Sequence, residues 1–297
     1  MKELAKTKTM VDKQDINIEC KDGFNLAGTI YKPETVKSAI MIAPATGIKR
    51  RFYNSFATYL AENGYGVISF DNRGIGESVN GDINKINASL VNWGKLDMTA
   101  AMESLKANFP NQKYHIVGHS AGGQLIGLMD NASDVNSFFN FASSSGSLSY
   151  MKYPFKLSAS FFLNIYIPIN NLFFGKTNSQ WVGMGEPLPK KVAAQWSKWC
   201  NAKGYVAADF GEEIKEHYFD KLTCPSMWLH ATDDGIANLE NVKDMIKVYS
   251  KSNFKIKTLN PKSMHKKSIG HMGFFSSKNK DLWSYAIDFF NENKKHS

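Results

Sequence analysis

Cysteine is scarce in this chain of 297 residues. Cys20, Cys200 and Cys224 form an odd set at scattered spacings, with no C-x-x-C among them. That pattern argues against a disulfide framework and for reduced thiols, hence a cytoplasmic protein. Arginine is rarer than its charge class suggests: of 36 cationic residues only Arg50, Arg51 and Arg73 are arginines. The formal net charge of +9 is therefore a diffuse lysine charge. Nucleic-acid readers concentrate Arg and Lys on one face within a recognisable motif, and no such motif occurs here. The charge reads as a solvated surface, with weak attraction to anionic substrates or membrane surfaces as the remaining alternative. Long apolar runs are missing too. The opening stretch MKELAKTKTMVDKQDINIE lacks the apolar core of a secretory signal. No run reaches the roughly 18 to 20 uninterrupted apolar residues of a membrane span. The nearest, FKLSASFFLNIYIPINNLFF at 155–174, is broken by Lys156, Asn164, Pro168, Asn170 and Asn171. It is expected to be buried or interfacial, with no stable membrane insertion.

What the chain does have is core: 43% of its residues are hydrophobic, enough for a folded globular domain. Short β-like runs alternate with helix-like ones, the pattern of a mostly parallel central sheet with helices on both faces. DINIEC and NLAGTIYK flank the turn KDG as an opening hairpin. SAIMIAPA is a continuous apolar strand of the sheet interior. A helix over FYNSFATYLAENG, the strand GVISFDNRG, a long helix near 86–109 and the strand KYHIVG follow, then a helix from Ser120 and the strand SFFNFASS. The alternation stops between 148 and 222, which is rich in Trp, Phe and Tyr, and resumes with PSMWLHA, a helix near 238–251, FKIKTL and a last helix near 280–293. The expected organisation is one sheet domain, 1–147 and 223–297, interrupted by a helical lid insertion at 148–222.

The stretch YHIVGHSAGGQ ends a strand on Gly118-His119-Ser120-Ala121-Gly122. A G-x-S-x-G between a strand and a helix is the pattern of a nucleophile elbow, with the serine on a tight strained turn above the sheet. The bland alternative, a glycine-rich nucleotide-binding turn, would want G-x-G-x-x-G, which this turn lacks. A serine hydroxyl needs a general base, itself oriented by a third group. The acid should follow a later strand and the histidine the last one. Thr232-Asp233-Asp234-Gly235 closes the strand MWLHA, and KSIGHMGFF carries His271 after FKIKTL. Of the adjacent aspartates Asp234 is favoured as the acid, because His230-Ala231-Thr232-Asp233-Asp234 resembles the H-G-x-D-D form, in which the second one turns inward. His265 sits among lysines as a surface residue, and His119 is assigned a packing role. His115, His217, His230 and His296 have no catalytic setting.

The chain resembles α/β-hydrolases of the serine-aminopeptidase-like, lid-bearing branch over nearly its whole length. Beyond the three residues above, APATG, RFYNSFATYLAENGYGVISFDNRGIGES and GHMGFF are similar to bacterial members of that branch. The resemblance implies an oxyanion hole built from two backbone N–H groups. One is that of Ala121. The other lies in the loop Ala45-Thr46-Gly47; many relatives begin this loop with His-Gly where this chain has Pro44-Ala45, so the donor is Ala45 or Thr46, with Thr46 assigned. Asp71-Asn72-Arg73-Gly74 resembles a stretch that fixes a loop without chemistry.

The aromatic insertion is expected to supply an apolar substrate pocket, with Phe161, Phe162, Tyr166, Trp181 and Trp196 as lining candidates. The mechanism needs no metal and no organic cofactor. Three readings follow. The first is a carboxylic-ester hydrolase acting on a small or medium apolar acyl substrate. The second is an amide hydrolase of aminopeptidase type, for which the lid's acidic residues cluster too late. The third is a hydrolase-fold binding protein without turnover, which would be expected to have lost one of the three residues.

Overall fold

The computed structural model describes residues 10–293; the first nine residues of the opening stretch, and His296, lie outside the described residues. Strands β1 (Val11–Glu19) and β2 (Asn25–Pro33) form the expected antiparallel hairpin, in register from Val11 opposite Pro33 to Glu19 opposite Asn25. Then come β3 (Ser38–Ala43), helix α1 (Asn54–Glu62) and β4 (Tyr65–Phe70). Every residue of β3 and β4 is buried, which requires cover on both faces of the sheet and explains their unbroken apolar runs. The next helical run begins at Leu90 rather than near residue 86. The Ser89 hydroxyl accepts from the Asn92 N–H and caps it there, satisfying a donor that a longer helix would have used internally. A π-helical stretch, Trp93–Met98, leads into α2 (Thr99–Asn108). Strand β5 (Tyr114–His119) is followed by α3 (Ala121–Gln124), far shorter than the expected helix from Ser120. Glycines at 122, 123 and 127 are poor helix formers, and the chain tightens into a 3-10 turn at Ile126–Leu128 before β6 (Val135–Phe141).

Within 148–222 no strand joins the main sheet. Helix α4 (Phe155–Phe161), a π-helical stretch (Phe162–Tyr166) and α5 (Ile167–Phe174) form one continuous run. Two-residue strands β7 (Lys176–Thr177) and β8 (Leu188–Pro189) pair with each other, and α6 (Lys190–Asn201) follows. Buried Asp209 ties this segment together, accepting from Trp199 Nε1 at 2.6 Å, from Gln195 and from Lys198. The segment's tail returns to the sheet domain. The Tyr218 N–H donates to the Gly127 carbonyl at 2.7 Å, and Phe219 packs edge-on to Tyr249, so these last residues are part of the core in packing terms.

Strand β9 (Pro225–Ala231), α7 (Leu239–Val248) capped by Asn238, β10 (Asn253–Leu259) and α8 (Ser284–Glu292) complete the chain. The eight strands stand in the order β1-β2-β4-β3-β5-β6-β9-β10. All neighbours from β4 to β10 are parallel, and only the β1 and β2 pairings are antiparallel. The order reverses at β3, whose successor β4 lies on one side and β5 on the other. Loops leaving β3 and β5 therefore diverge at their C-terminal ends and leave a crevice there. Beside it, Asp71 pairs with Arg50 at 2.6 Å and Arg73 with Asp97 at 2.6 Å, all four side chains buried. These ion pairs pin the loop after β4.

Candidate active site

Ser120 sits between β5 and α3 with φ +49° and ψ −112°, a conformation most residues avoid. Its N–H donates to the Phe141 carbonyl at 3.0 Å, and its own carbonyl accepts from Gly123 N–H at 3.1 Å, so both neighbouring elements hold the turn. A Cβ at Gly122 would lie 2.0 Å from the Ala43 carbonyl oxygen, and one at Gly118 2.5 Å from Gly123 Cα. Gly123, outside the five-residue pattern, is equally confined: its Cβ would meet Ser143 Oγ at 2.3 Å. The turn is tight because three chain segments touch where side chains would stand.

His271 Nδ1 lies 2.8 Å from Asp234 Oδ2. The other Asp234 oxygen accepts from the N–H groups of Ile236 (2.8 Å) and Ala237 (2.9 Å). Burial pushes this carboxyl up, but the His271 ring and those two N–H groups outweigh it and hold it below the usual range. Asp233 faces the other way. It accepts from Ser268 Oγ, Ile269 N–H and Gly270 N–H at 2.8, 2.9 and 3.0 Å, fastening the loop that delivers His271. Its carboxyl is also held low, the three donors outweighing burial.

Ser120 and His271 make no hydrogen bond to each other among the described residues; they are linked through His119. His119 Nε2 lies 3.1 Å from the His271 carbonyl, and the two rings are 5.6 Å apart. A carbonyl only accepts, so Nε2 carries the hydrogen and Nδ1 is left as acceptor. The Tyr53 hydroxyl, 2.8 Å from Nδ1, donates to it and accepts from the Ala45 N–H at 2.9 Å. The chain Ala45, Tyr53, His119, His271 thus joins the loop after β3 to the loop after β10. Burial, with His271 acting in the same direction, pushes the His119 imidazole down to about 3 and keeps it neutral. Packing alone is too modest a description of His119, and nothing in the sequence marked Tyr53 as its partner. The Ala45 N–H is engaged by Tyr53, whereas the N–H groups of Thr46, Gly47, Ala121 and Gly122 donate in no hydrogen bond found among the described residues.

A cavity of about 530 Å³ has Phe161, Phe162, Tyr166 and Trp196 among its walls; Ser120, Asp234 and His271 do not line it. It reaches Ile236, two residues past Asp234, and Met184, whose carbonyl approaches Gly47 in the loop after β3. Phe162 stacks on Tyr166, centroids 5.6 Å apart, and meets Trp196 edge-on. Trp181 does not line it: the side chain is 62% exposed and packs against Phe174, because the 3-10 turn at Ser179–Val182 turns it outward. No carboxylate lines the cavity, and among the described residues no cluster of three or more His, Cys, Asp or Glu could hold a metal ion. Of the remaining histidines, His230 bonds Thr258 on the neighbouring strand, His115 bonds Ser137, His217 stacks on Phe210, and His265 is an exposed turn residue.

A family model described as serine aminopeptidase, S33, matches residues 34–129, from just before β3 to just past the Ser120 turn. No curated protein matches the sequence at a significant level. Among solved structures, an esterase of Pyrococcus furiosus superposes with a TM-score of 0.57 at 15% identity, over 95% of this chain and 93% of that one. A carboxyl esterase of Bacillus coagulans gives 0.62 at 12% identity, over 95% and 99%. A soluble variant of monoglyceride lipase from Saccharomyces cerevisiae gives 0.67 at 13% identity, over 98% of both chains. At these identities the likeness is one of fold.

Proposed function

We propose that this chain, which has the α/β-hydrolase fold, is a serine hydrolase cleaving carboxylic esters with an apolar acyl group of small to medium size. The observation that carries this reading is the 2.8 Å pair of His271 and Asp234, with the His271 carbonyl held by His119, the residue before a serine in strained backbone. Asp234 accepts the Nδ1 hydrogen and leaves the Nε2 lone pair of His271 free to take the Ser120 proton as Oγ attacks the acyl carbonyl. The hydroxyl–imidazole bond is one that tightens when substrate fills such a site. The N–H groups of Ala121 and Thr46 receive the oxyanion; losing one such donor typically costs about 3 kcal/mol in the barrier. His271 then protonates the leaving alcohol and next takes a proton from a water that attacks the acyl-enzyme; the carboxylic acid leaves as that proton returns to Ser120 Oγ. Residues 148–222 act as a lid whose aromatic walls hold the acyl chain. An aminopeptidase would need a carboxylate at the cavity to hold the substrate ammonium, and the walls carry none.

Ser120→Ala should abolish covalent labelling by a fluorophosphonate and lower turnover of p-nitrophenyl esters by at least about 10⁴-fold. Labelling undiminished in that variant would overturn the assignment of the nucleophile. Aminoacyl p-nitroanilide cleavage faster than ester cleavage would replace the ester reading with the amide one.

A further inference from the structure

The helical run Phe155–Phe174 has two apolar faces, and the protein covers one of them. Leu163 and Ile167 are buried. On the other side Leu157, Phe161, Ile165, Ile169, Leu172 and Phe173 are between 47% and 76% exposed. Four of them recur every fourth residue, which makes a continuous stripe along the helix. Tyr153 and Trp181, also mostly exposed, add aromatic rings of the amphipathic kind that favour a membrane–water boundary. By length and composition the run could cross a membrane, yet it lies packed along α6 and β7, with 22% of its apolar window buried. An uncovered apolar surface of this extent marks an interaction site.

Charge indicates the occupant. No acidic residue occurs between Asp134 and Glu186, and the charged residues in that interval are Lys152, Lys156 and Lys176. A second copy docked face to face on this patch would bring these lysines together. An anionic surface would meet them with opposite charge. The same face also forms the cavity rim, since Phe155, Leu157 and Phe161 both line the cavity and reach the exterior.

We propose that this face docks on an anionic lipid bilayer, with the run Phe155–Phe174 lying in the plane of the interface. Docking there opens the cavity toward the acyl layer, so that an amphiphilic ester enters acyl chain first. That delivery step rests on the ester-hydrolase reading; the docking does not.

The test is co-sedimentation of Ser120→Ala protein with phosphatidylglycerol–phosphatidylcholine vesicles and with pure phosphatidylcholine vesicles. We expect at least about tenfold stronger partitioning to the anionic vesicles, weakened by salt. Adding Ile165→Asp and Leu172→Asp should reduce partitioning at least about tenfold. The same pair placed in the active chain should leave turnover of a short monomeric p-nitrophenyl ester within about twofold of the parent. No binding to anionic vesicles, or equal binding by the double variant, overturns the proposal. So does a dimer in sedimentation velocity that the double variant dissociates, since the face then belongs to a second copy. Because binding is read on catalytically silent protein, its failure is distinct from failure of the ester reading, which absence of ester turnover would reveal.

Discussion

The carboxylates of Asp233 and Asp234 are neighbours in the chain and point to opposite tasks. Asp233 gathers three donors from Ser268–Gly270, while Asp234 meets the imidazole two positions beyond Ile269. Their replacement should therefore separate. Asp234→Asn keeps the volume but donates where His271 needs an acceptor, which favours the wrong tautomer. Its kcat should fall by about 10⁴-fold with little change in KM. Asp233→Ala removes three hydrogen bonds from a loop and should cost about 1–3 kcal/mol of stability, with a smaller loss of kcat as His271 becomes less well placed. Thermal melts beside steady-state kinetics check both; a larger kcat loss in the Asp233 variant would reverse the two roles. Choosing between these aspartates from sequence was a matter of pattern, whereas in the folded chain each oxygen has a named partner. What could not be read was the hold of Asp233 on the histidine loop, because its partners lie 35 to 37 positions further along the chain.

At the scale of elements, the site depends on two loops meeting through buried side chains that are far apart in sequence. Strand ends and the Ser120 turn were legible because β-rich runs, glycines and a serine at fixed spacing are local signals. The choice between Ala45 and Thr46 was not local. The Tyr53 hydroxyl accepts from the Ala45 N–H, which is why Thr46 is the proposed donor, and that contact joins residues eight positions apart only in the folded chain. The helix after Ser120 is shorter than its sequence suggests for a related reason, since the glycines that admit the Ala43 and Asn140 atoms also shorten it. The bridging His119 gives a testable pH dependence. Its imidazole is depressed to about 3 in the folded chain, against about 6.5 when unfolded. Below pH 6.5 the unfolded chain therefore binds a proton that the folded chain refuses, and stability falls as pH falls toward 3. Between pH 7 and pH 5 this one group should remove about 2 kcal/mol. Urea unfolding at the two pH values should show a drop smaller by that amount in His119→Gln than in the parent. An unchanged pH dependence would mean that His119 protonates freely in the fold.

For the molecule as a whole, the proposed lid at 148–222 would decide what reaches the serine. The sequence presents residues 155–174 as buried or interfacial; in the structure Leu163 and Ile167 are buried, while Leu157, Phe161, Ile165, Ile169, Leu172 and Phe173 are exposed. Hydropathy along a chain cannot divide the faces of a helix that is apolar nearly all round, and the π-helical stretch at Phe162–Tyr166 shifts the register in mid-run. Within the cavity the consequences are quantitative. Burying one more CH₂ of an acyl chain against Phe162, Tyr166 and Trp196 is worth about 0.8 kcal/mol, roughly a fourfold gain in kcat/KM per CH₂. That gain should continue only until about 530 Å³ is filled, after which longer chains meet the far wall and the gain stops. Trp196→Ala enlarges the cavity where the indole meets Phe162, so its optimum should move to longer acyl chains while short esters lose affinity. A p-nitrophenyl ester series from acetate upward, run on the parent and the variant, measures both slopes and both maxima. A flat profile in the parent, or an optimum that Trp196→Ala leaves in place, would mean that the acyl group binds elsewhere and that this cavity takes the alcohol side of the ester.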